Sequence, residues 1–210
     1  MRYYKNKLSM KQCGLCQFVR KVSARVFKTY SYKMHYLVLD TNIDVIQQRL
    51  QDFDLSVKEL EYEDFLMGDS TVFTPRKLES VFKRLNDGTH KAYGIIENGR
   101  LIYSTWISTK ELSLPVAVSY TLSSNEGLLE DSYCSVDARG RGLHYKMNLY
   151  RIARLYELGK NRVVAIVMDG NAPAFKVQFK SGFREIGTFY CGKIFGISFS
   201  TLNNAKYEGK

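Results

Sequence analysis

The stretch that most constrains this sequence runs from residue 127 to residue 183. A stretch over 127–136 that reads as a strand leads into Asp137-Ala138-Arg139-Gly140-Arg141-Gly142. Directly after it, Leu143, Met147, Tyr150 and Leu155 recur at helical spacing. That order reads as a strand, a glycine-rich turn and a helix over 143–158, with Gly159 as its C-cap. Residues 163–168 are unbroken apolar, the pattern of a strand buried on both faces. Asp169-Gly170-Asn171 then opens a helix over 172–180, which stops at Ser181-Gly182. A glycine-rich turn before a helix suits an anion. The first amides of a helix lack intrahelical partners, and the macrodipole adds partial positive charge there. The spacing is not the dinucleotide fingerprint, since Tyr145 stands where its third glycine would fall. Nor does Gly-Lys-Ser/Thr follow, as a phosphate-binding P-loop requires.

The rest of the chain is consistent with one mixed α/β domain over 32–210, preceded by an arm over 1–31. Strands are expected over 32–39, 55–61, 116–122, 127–136, 184–190 and 193–200. Helices are expected over 43–53 and from Thr74-Pro75 to Asn86-Asp87-Gly88, with proline at the first helical position. Residues 91–97 and 101–108 flank Asn98-Gly99, the dipeptide of a tight hairpin turn.

Charge separates the arm from the body. The net charge is +10, and residues 1–39 supply nine basic side chains and no acidic one. A claim of nucleic-acid binding for the whole molecule is therefore weak. The arm itself reads as a basic amphipathic helix over 11–30, with Phe18, Val22 and Val26 on one face. It could lie on an anionic membrane, bind nucleic acid, or pack on the domain; nucleic acid is the least favoured. With 45% hydrophobic and 25% charged residues, disorder, collagen and coiled coil are excluded. No apolar run reaches the ~20 residues that span a bilayer, and a cytoplasmic location is expected. Cys13 and Cys16 have metal-like spacing, but no second ligand pair follows, and no metal is expected. His35, within a strand, reads as structural.

The residues from about 90 to 200 resemble the GNAT N-acetyltransferase superfamily. Arg139-Gly140-Arg141-Gly142 matches the opening of its phosphate turn, Arg/Gln-x-x-Gly-x-Gly/Ala, with His144 at the last, normally small, position. Asn171-Ala172-Pro173-Ala174 and Lys180-Ser181-Gly182-Phe183 look like its Asn-x-x-Ala and Lys-x-Gly-Phe segments. The resemblance implies a largely antiparallel central sheet flanked by helices, with a V-shaped split between two adjacent strands. Acetyl-CoA would lie in that split as acyl donor, and a primary amine would accept the acetyl group.

The same resemblance assigns roles. The pyrophosphate would rest on the amides of Arg141, Gly142 and His144, within a turn completed by Arg139, Gly140 and Leu143. The pantetheine arm would pair with backbone at Cys134 and Val136, and Asn171 lies on the cofactor side. A bulge near Cys134 would free an N–H for the oxyanion. Glu130 is the first candidate base; Asp131, expected on the opposite strand face, is the second. The family's usual acid, a tyrosine on the last helix, is Gln178 here, which leaves Tyr133, Tyr190 and His144. Cys134 has no evident histidine partner, so direct attack is favoured over an acyl-enzyme. A small amine or amino sugar is the first acceptor class and a protein amine the second. Two other readings stay open: a non-catalytic CoA- or acyl-binding module, and a membrane-associated protein acting through its arm.

Overall fold

The structure, a computed structural model, describes residues 30–39, 42–194 and 197–204. The expected helix over 11–30 and the Cys13/Cys16 pair lie outside the described residues. The elements in chain order are β1 (Tyr30–Leu39), α1 (Ile43–Gln51), β2 (Lys58–Glu59), α2 (Tyr62–Leu66), α3 (Pro75–Leu85), β3 (His90–Glu97), β4 (Arg100–Ser108), β5 (Glu111–Leu114), β6 (Val118–Thr121), β7 (Glu126–Cys134), α4 (Leu143–Glu157), β8 (Arg162–Met168), α5 (Ala172–Lys180), β9 (Phe183–Ile194) and β10 (Ile197–Asn204).

Eight strands form one sheet in the order β10-β9-β1-β8-β7-β4-β3-β2. Every neighbouring pair is antiparallel except β7 and β8, which run parallel. The sheet is thus mixed, largely antiparallel and flanked by helices. One face carries α1, α4 and α5 over a core that includes Leu37, Ile46, Met147, Ile152 and Val163. The other face carries α2 and α3 over Trp106 and Leu101, and the small β5–β6 sheet over Met34, Leu128 and Val164. β8 alternates between these two cores, which explains its unbroken apolar sequence. Leu149, Ile152 and Leu155 of α4 are fully buried. Each stabilises by roughly 1.5–3 kcal/mol, which anchors α4, and with it the preceding turn, to the sheet.

The parallel β7–β8 pairing lasts four residues, from Glu126↔Arg162 to Leu129↔Ala165. Beyond Leu129, β7 continues along β4 as far as Cys134, while β8 continues along β1 to Met168. The two strands part at that point, and this is the V-shaped split. β7 carries a bulge there. Trp106 pairs with Glu130 and Thr105 with Ser132, so Asp131 is the extra residue, and it sits in the left-handed region at φ 25°.

Several sequence expectations are corrected. β1 starts at Tyr30, so the last two arm residues already belong to the sheet. The strand expected over 55–61 shrinks to Lys58–Glu59. The single strand expected over 116–122 is β6, paired to an unforeseen β5 across a short 3₁₀ turn, Pro115–Ala117. β7 ends at Cys134, and Val136 starts a 3₁₀ turn with 69% of its surface exposed. β9 runs through Cys191 and Gly192 to Ile194, because it pairs with β1 on one side and β10 on the other.

Candidate active site

The glycine turn is built for an uncapped helix. Gly140 and Gly142 hold φ values of 79° and 72°, where a side chain would strain the backbone. Gly142 is the N-cap of α4 and offers no side-chain cap. The first helical bond closes only at Lys146 N to Gly142 O, so the amides of Leu143, His144 and Tyr145 have no intrahelical partner. Arg139 is exposed beside them. Arg141 is committed elsewhere: its guanidinium donates to both carboxylate oxygens of Glu97, at 2.9 and 2.6 Å. Two cavities of about 280 Å³ each flank Arg141.

A large cavity, about 670 Å³, opens on the other face of the sheet, where the strands part. Glu130 and Asp131 of β7 line it, with Arg84 of α3, His90 of β3, and Met34 and Ile166 as apolar wall. Glu130 is 15% exposed at its side chain and pairs with Arg84, which also lies over the Trp106 ring at 4.3 Å. His90 Nε2 stands 3.3 Å from Glu130 Oε2, and His90 Nδ1 stands 2.5 Å from Asp87 Oδ2. Burial pulls the His90 pKa down. The hydrogen bond and charge of Glu130, with that of Asp87, outweigh burial and Arg84, and the net shift is upward.

Asp131 does not point to the opposite face, as strict alternation would demand. The bulge turns it toward α3, where it pairs with Lys77 at 2.6 Å and Arg84 at 3.6 Å. The bulge is at Asp131, not near Cys134. The Cys134 thiol is pushed up by burial, against the pull of Arg139 and Arg141, and donates to the Ser135 carbonyl oxygen at 3.6 Å. It carries no mark of an activated nucleophile. Val136 does not continue the extended edge; the edge that β7 leaves free on the split side is 130–134.

The remaining acid candidates separate. Tyr190 alternates with Phe189 on β9. Phe189 pairs with Met34, which lines the large cavity, so Tyr190 falls on the opposite face. His144 is half-buried against Tyr103, and burial with the Arg151 charge lowers its pKa to about 4. With its pKa held that low the ring lacks the acidic imidazolium proton near pH 7 and is a poor general acid. Gln178 is buried and accepts from Asn148 Nδ2 at 3.0 Å through its own oxygen. Tyr133 packs edge-on against Phe73, and burial raises its pKa. Asn171 caps α5, its side-chain oxygen accepting from Ala174 N at 3.2 Å. Sequence reading missed Arg84, Asp87 and His90, whose partners come from separate elements. It also missed Arg151, although position 151 falls on the apolar stripe midway between Met147 and Leu155, a polar interruption visible in the sequence.

No family model and no curated protein matches the sequence. Solved structures do match. One is a protein from Novosphingobium aromaticivorans described as a GNAT-family acetyltransferase (TM-score 0.56, 16% identity, 77% of this chain and 65% of that one). Another is a GCN5-related glucosamine N-acetyltransferase region of a fungal multi-domain β-N-acetylglucosaminidase (TM-score 0.54, 15% identity, 87% of this chain and 23% of that one). A third is AAC(6')-Iy, an aminoglycoside N-acetyltransferase, in complex with a CoA bisubstrate analogue (TM-score 0.50, 16% identity, 63% of this chain and 92% of that one). The chain spans less than two thirds of the length of the first two. The fold is that of the GNAT N-acetyltransferase superfamily.

Proposed function

We propose that this protein is an acyl-CoA-dependent N-acyltransferase that moves an acetyl group from acetyl-CoA to a primary amine by direct attack. One observation carries the reading. Where β7 and β8 part, the bulge, the Glu130 carboxylate and the large cavity occur together, and the helix that follows the same strand begins with free amides.

The residues fit an acyl-CoA substrate. Uncapped amides behind positive-φ glycines suit a diphosphate. The free edge of β7 over 130–134 suits the amides of an extended pantetheine arm. An amine must lose a proton as it attacks a thioester, and Glu130 faces the cavity to take it. His90 and Asp87 extend that carboxylate toward the rim as a hydrogen-bonded chain. Amides at the bulge are the candidate donors to the developing oxyanion. With Gln178 engaged by Asn148 and His144 neutral, the CoA thiol leaves as a thiolate or takes its proton from Tyr133 or water.

The acceptor enters from the large cavity, whose charged side and apolar side suit a polar amine with some carbon framework. Amino sugars are the first acceptors to try, since a glucosamine N-acetyltransferase region and an aminoglycoside N-acetyltransferase are among the similar structures. Calorimetric titration with CoA, acetyl-CoA and longer acyl-CoAs, followed by turnover on an amine panel, tests the reading. Saturable acetyl-CoA binding with amine-dependent thiol release is the expected result. Binding without turnover points instead to a CoA-binding module, and no binding ends both readings.

A further inference from the structure

Arg151 is the largest fully buried side chain of the described residues and lies at the parting of β7 and β8. From α4 it reaches the bulge on the side opposite Glu130's carboxylate. Its Nη1 donates to the carbonyl oxygens of Trp106 (3.1 Å) and Glu130 (2.8 Å), one on each strand of the bulged pair. Its Nη2 donates to Asn148 Oδ1. Asn148, itself buried, donates to Gln178 Oε1 at 3.0 Å and Ser181 Oγ at 3.3 Å, which fixes it from α5. The Thr105 hydroxyl closes the bulge from within, donating to Asp131 O at 3.2 Å beside Ser132 Oγ at 2.8 Å.

Among the described residues, no carboxylate forms an ion pair with this guanidinium. A buried cation without a counter-ion is costly, and an apolar side chain of its size would serve packing as well or better. Packing therefore does not account for it; what the charge achieves is specific. Two carbonyl oxygens that converge at a bulge repel one another unless a donor stands between them, and Nη1 is that donor.

We propose that Arg151 is a positioning residue for acyl transfer. By clamping the Glu130 and Trp106 carbonyls it fixes the bulged backbone that carries the Glu130 carboxylate into the cavity. The proposal rests on the acyl-transfer reading above. It places the effect of Arg151 on the reacting geometry rather than on the affinity of the uncapped helix for a diphosphate, which lies at the other end of the site.

The test compares full-length wild type, Arg151→Met and Arg151→Lys for kcat and KM with acetyl-CoA and glucosamine, for Kd of CoA, and for Tm. Arg151→Met preserves volume and removes the charge. It is expected to stay folded with an unchanged Kd and lose about 100-fold in kcat, the scale of an ångström-sized misplacement. Arg151→Lys keeps the charge but not the planar fork, and is expected to recover part of that loss. A folded Arg151→Met protein with wild-type kcat overturns the proposal. So does a loss that appears wholly in KM and Kd. If Arg151→Met does not fold, Asn148→Ala takes its place; it releases Nη2 and removes the bonds to Gln178 and Ser181 while leaving Arg151 itself in the chain. It is expected to lower kcat about tenfold at constant Kd, on the same positional logic, and a wild-type kcat there also overturns the clamp. A wild type that neither binds CoA nor turns over removes the acyl-transfer reading, and the clamp with it. An active wild type with unaffected variants removes the clamp alone.

Discussion

His90 Nε2 lies 3.3 Å from the Glu130 carboxylate, with Asp87 on the other ring nitrogen. Burial lowers the His90 pKa, but Glu130 and Asp87 raise it more and leave it above its ordinary value. Below that raised value His90 is cationic and holds Glu130 as a paired carboxylate. Above it, the neutral ring and the carboxylate together can take the amine's proton. The expected outcome is a kcat/KM that rises with pH through a midpoint above about 6.5. His90→Gln should lose that limb and retain only the titration of the amine. Parallel pH–rate profiles of the two proteins with one amine check this, and superimposable profiles would remove His90 from the relay.

Glu130→Gln is the sharper test of the base. Gln keeps the shape and loses the acceptor of the proton. kcat should fall by about 10²–10⁴-fold, while the Kd of CoA, set at the α4 end, should not change. Calorimetry beside steady-state kinetics separates the two quantities. A modest change in kcat would pass the role to water or to Asp131.

His35 makes a comparable arrangement on the other face. Its Nδ1 lies 2.7 Å from Glu185 Oε1 and its Nε2 lies 2.9 Å from Asp169 Oδ1, with the ring edge-on to Phe175 at 4.7 Å. Burial lowers its pKa, the two carboxylates raise it more, and the net shift is upward. A raised folded-state pKa gives stability that is complete below the unfolded value of about 6.5 and is lost as pH climbs through the folded value. Tm should therefore fall as pH rises through this window, and His35→Gln should flatten the fall. The clasp joins β1, β9 and the end of β8, so its loss should also loosen the segment that leads to Asn171. Equal pH slopes in both proteins would refute it.

The parts of the site that were legible in the sequence are local ones. Gly140 and Gly142 need positive φ whatever surrounds them, and the helix after them shows its own period, so turn, helix and free amides follow from a dozen residues. Glu130 was legible as a carboxylate on the strand before the turn, although the neighbour that bulges is Asp131. Alternation is a rule about a strand alone, whereas a bulge is a mismatch between two strands, here Thr105 and Trp106 against 130–132. The end of β9 was read short for a related reason. A turn placed at Cys191-Gly192 looks natural in sequence, yet Cys191 is fully buried and Gly192 pairs on both sides. The partners of Glu130 come from α3 and β3, 40 or more residues away, and no spacing rule reaches them.

The Arg141–Glu97 pair makes a prediction about affinity. Both side chains are largely exposed, so the pair itself contributes little to folding. It does hold a guanidinium away from the uncapped amides. Glu97→Gln should release Arg141 toward a bound diphosphate and tighten CoA binding by about two- to fivefold, the scale of an exposed charge contact, and the gain should shrink in high salt. Glu97→Gln together with Arg141→Ala should abolish the gain. An unchanged Kd in Glu97→Gln would place the phosphates out of Arg141's reach.

Gly127 couples β7 to α4 by close approach. A Cβ at this position would stand 2.4 Å from Leu155 Cδ2 and 3.1 Å from its Cγ. Leu155 is fully buried, in an interior where few voids are large enough to take a displaced side chain. Gly127→Ala should therefore push α4 away from β7, at about 1–3 kcal/mol for an overpacked core, or roughly 3–10 °C in Tm for a chain of this length. Because α4 carries the turn at Gly142, CoA binding should weaken in the same variant. Leu155→Ala alone leaves a cavity and costs about 2–5 kcal/mol. In the double variant the new methyl occupies part of that cavity, so its loss should be smaller than the sum of the two single losses. Thermal unfolding of the two single variants and the double variant measures this coupling. Strict additivity would mean that strand and helix do not touch at this point, and the turn would then owe its place to something other than the packing of α4 on β7.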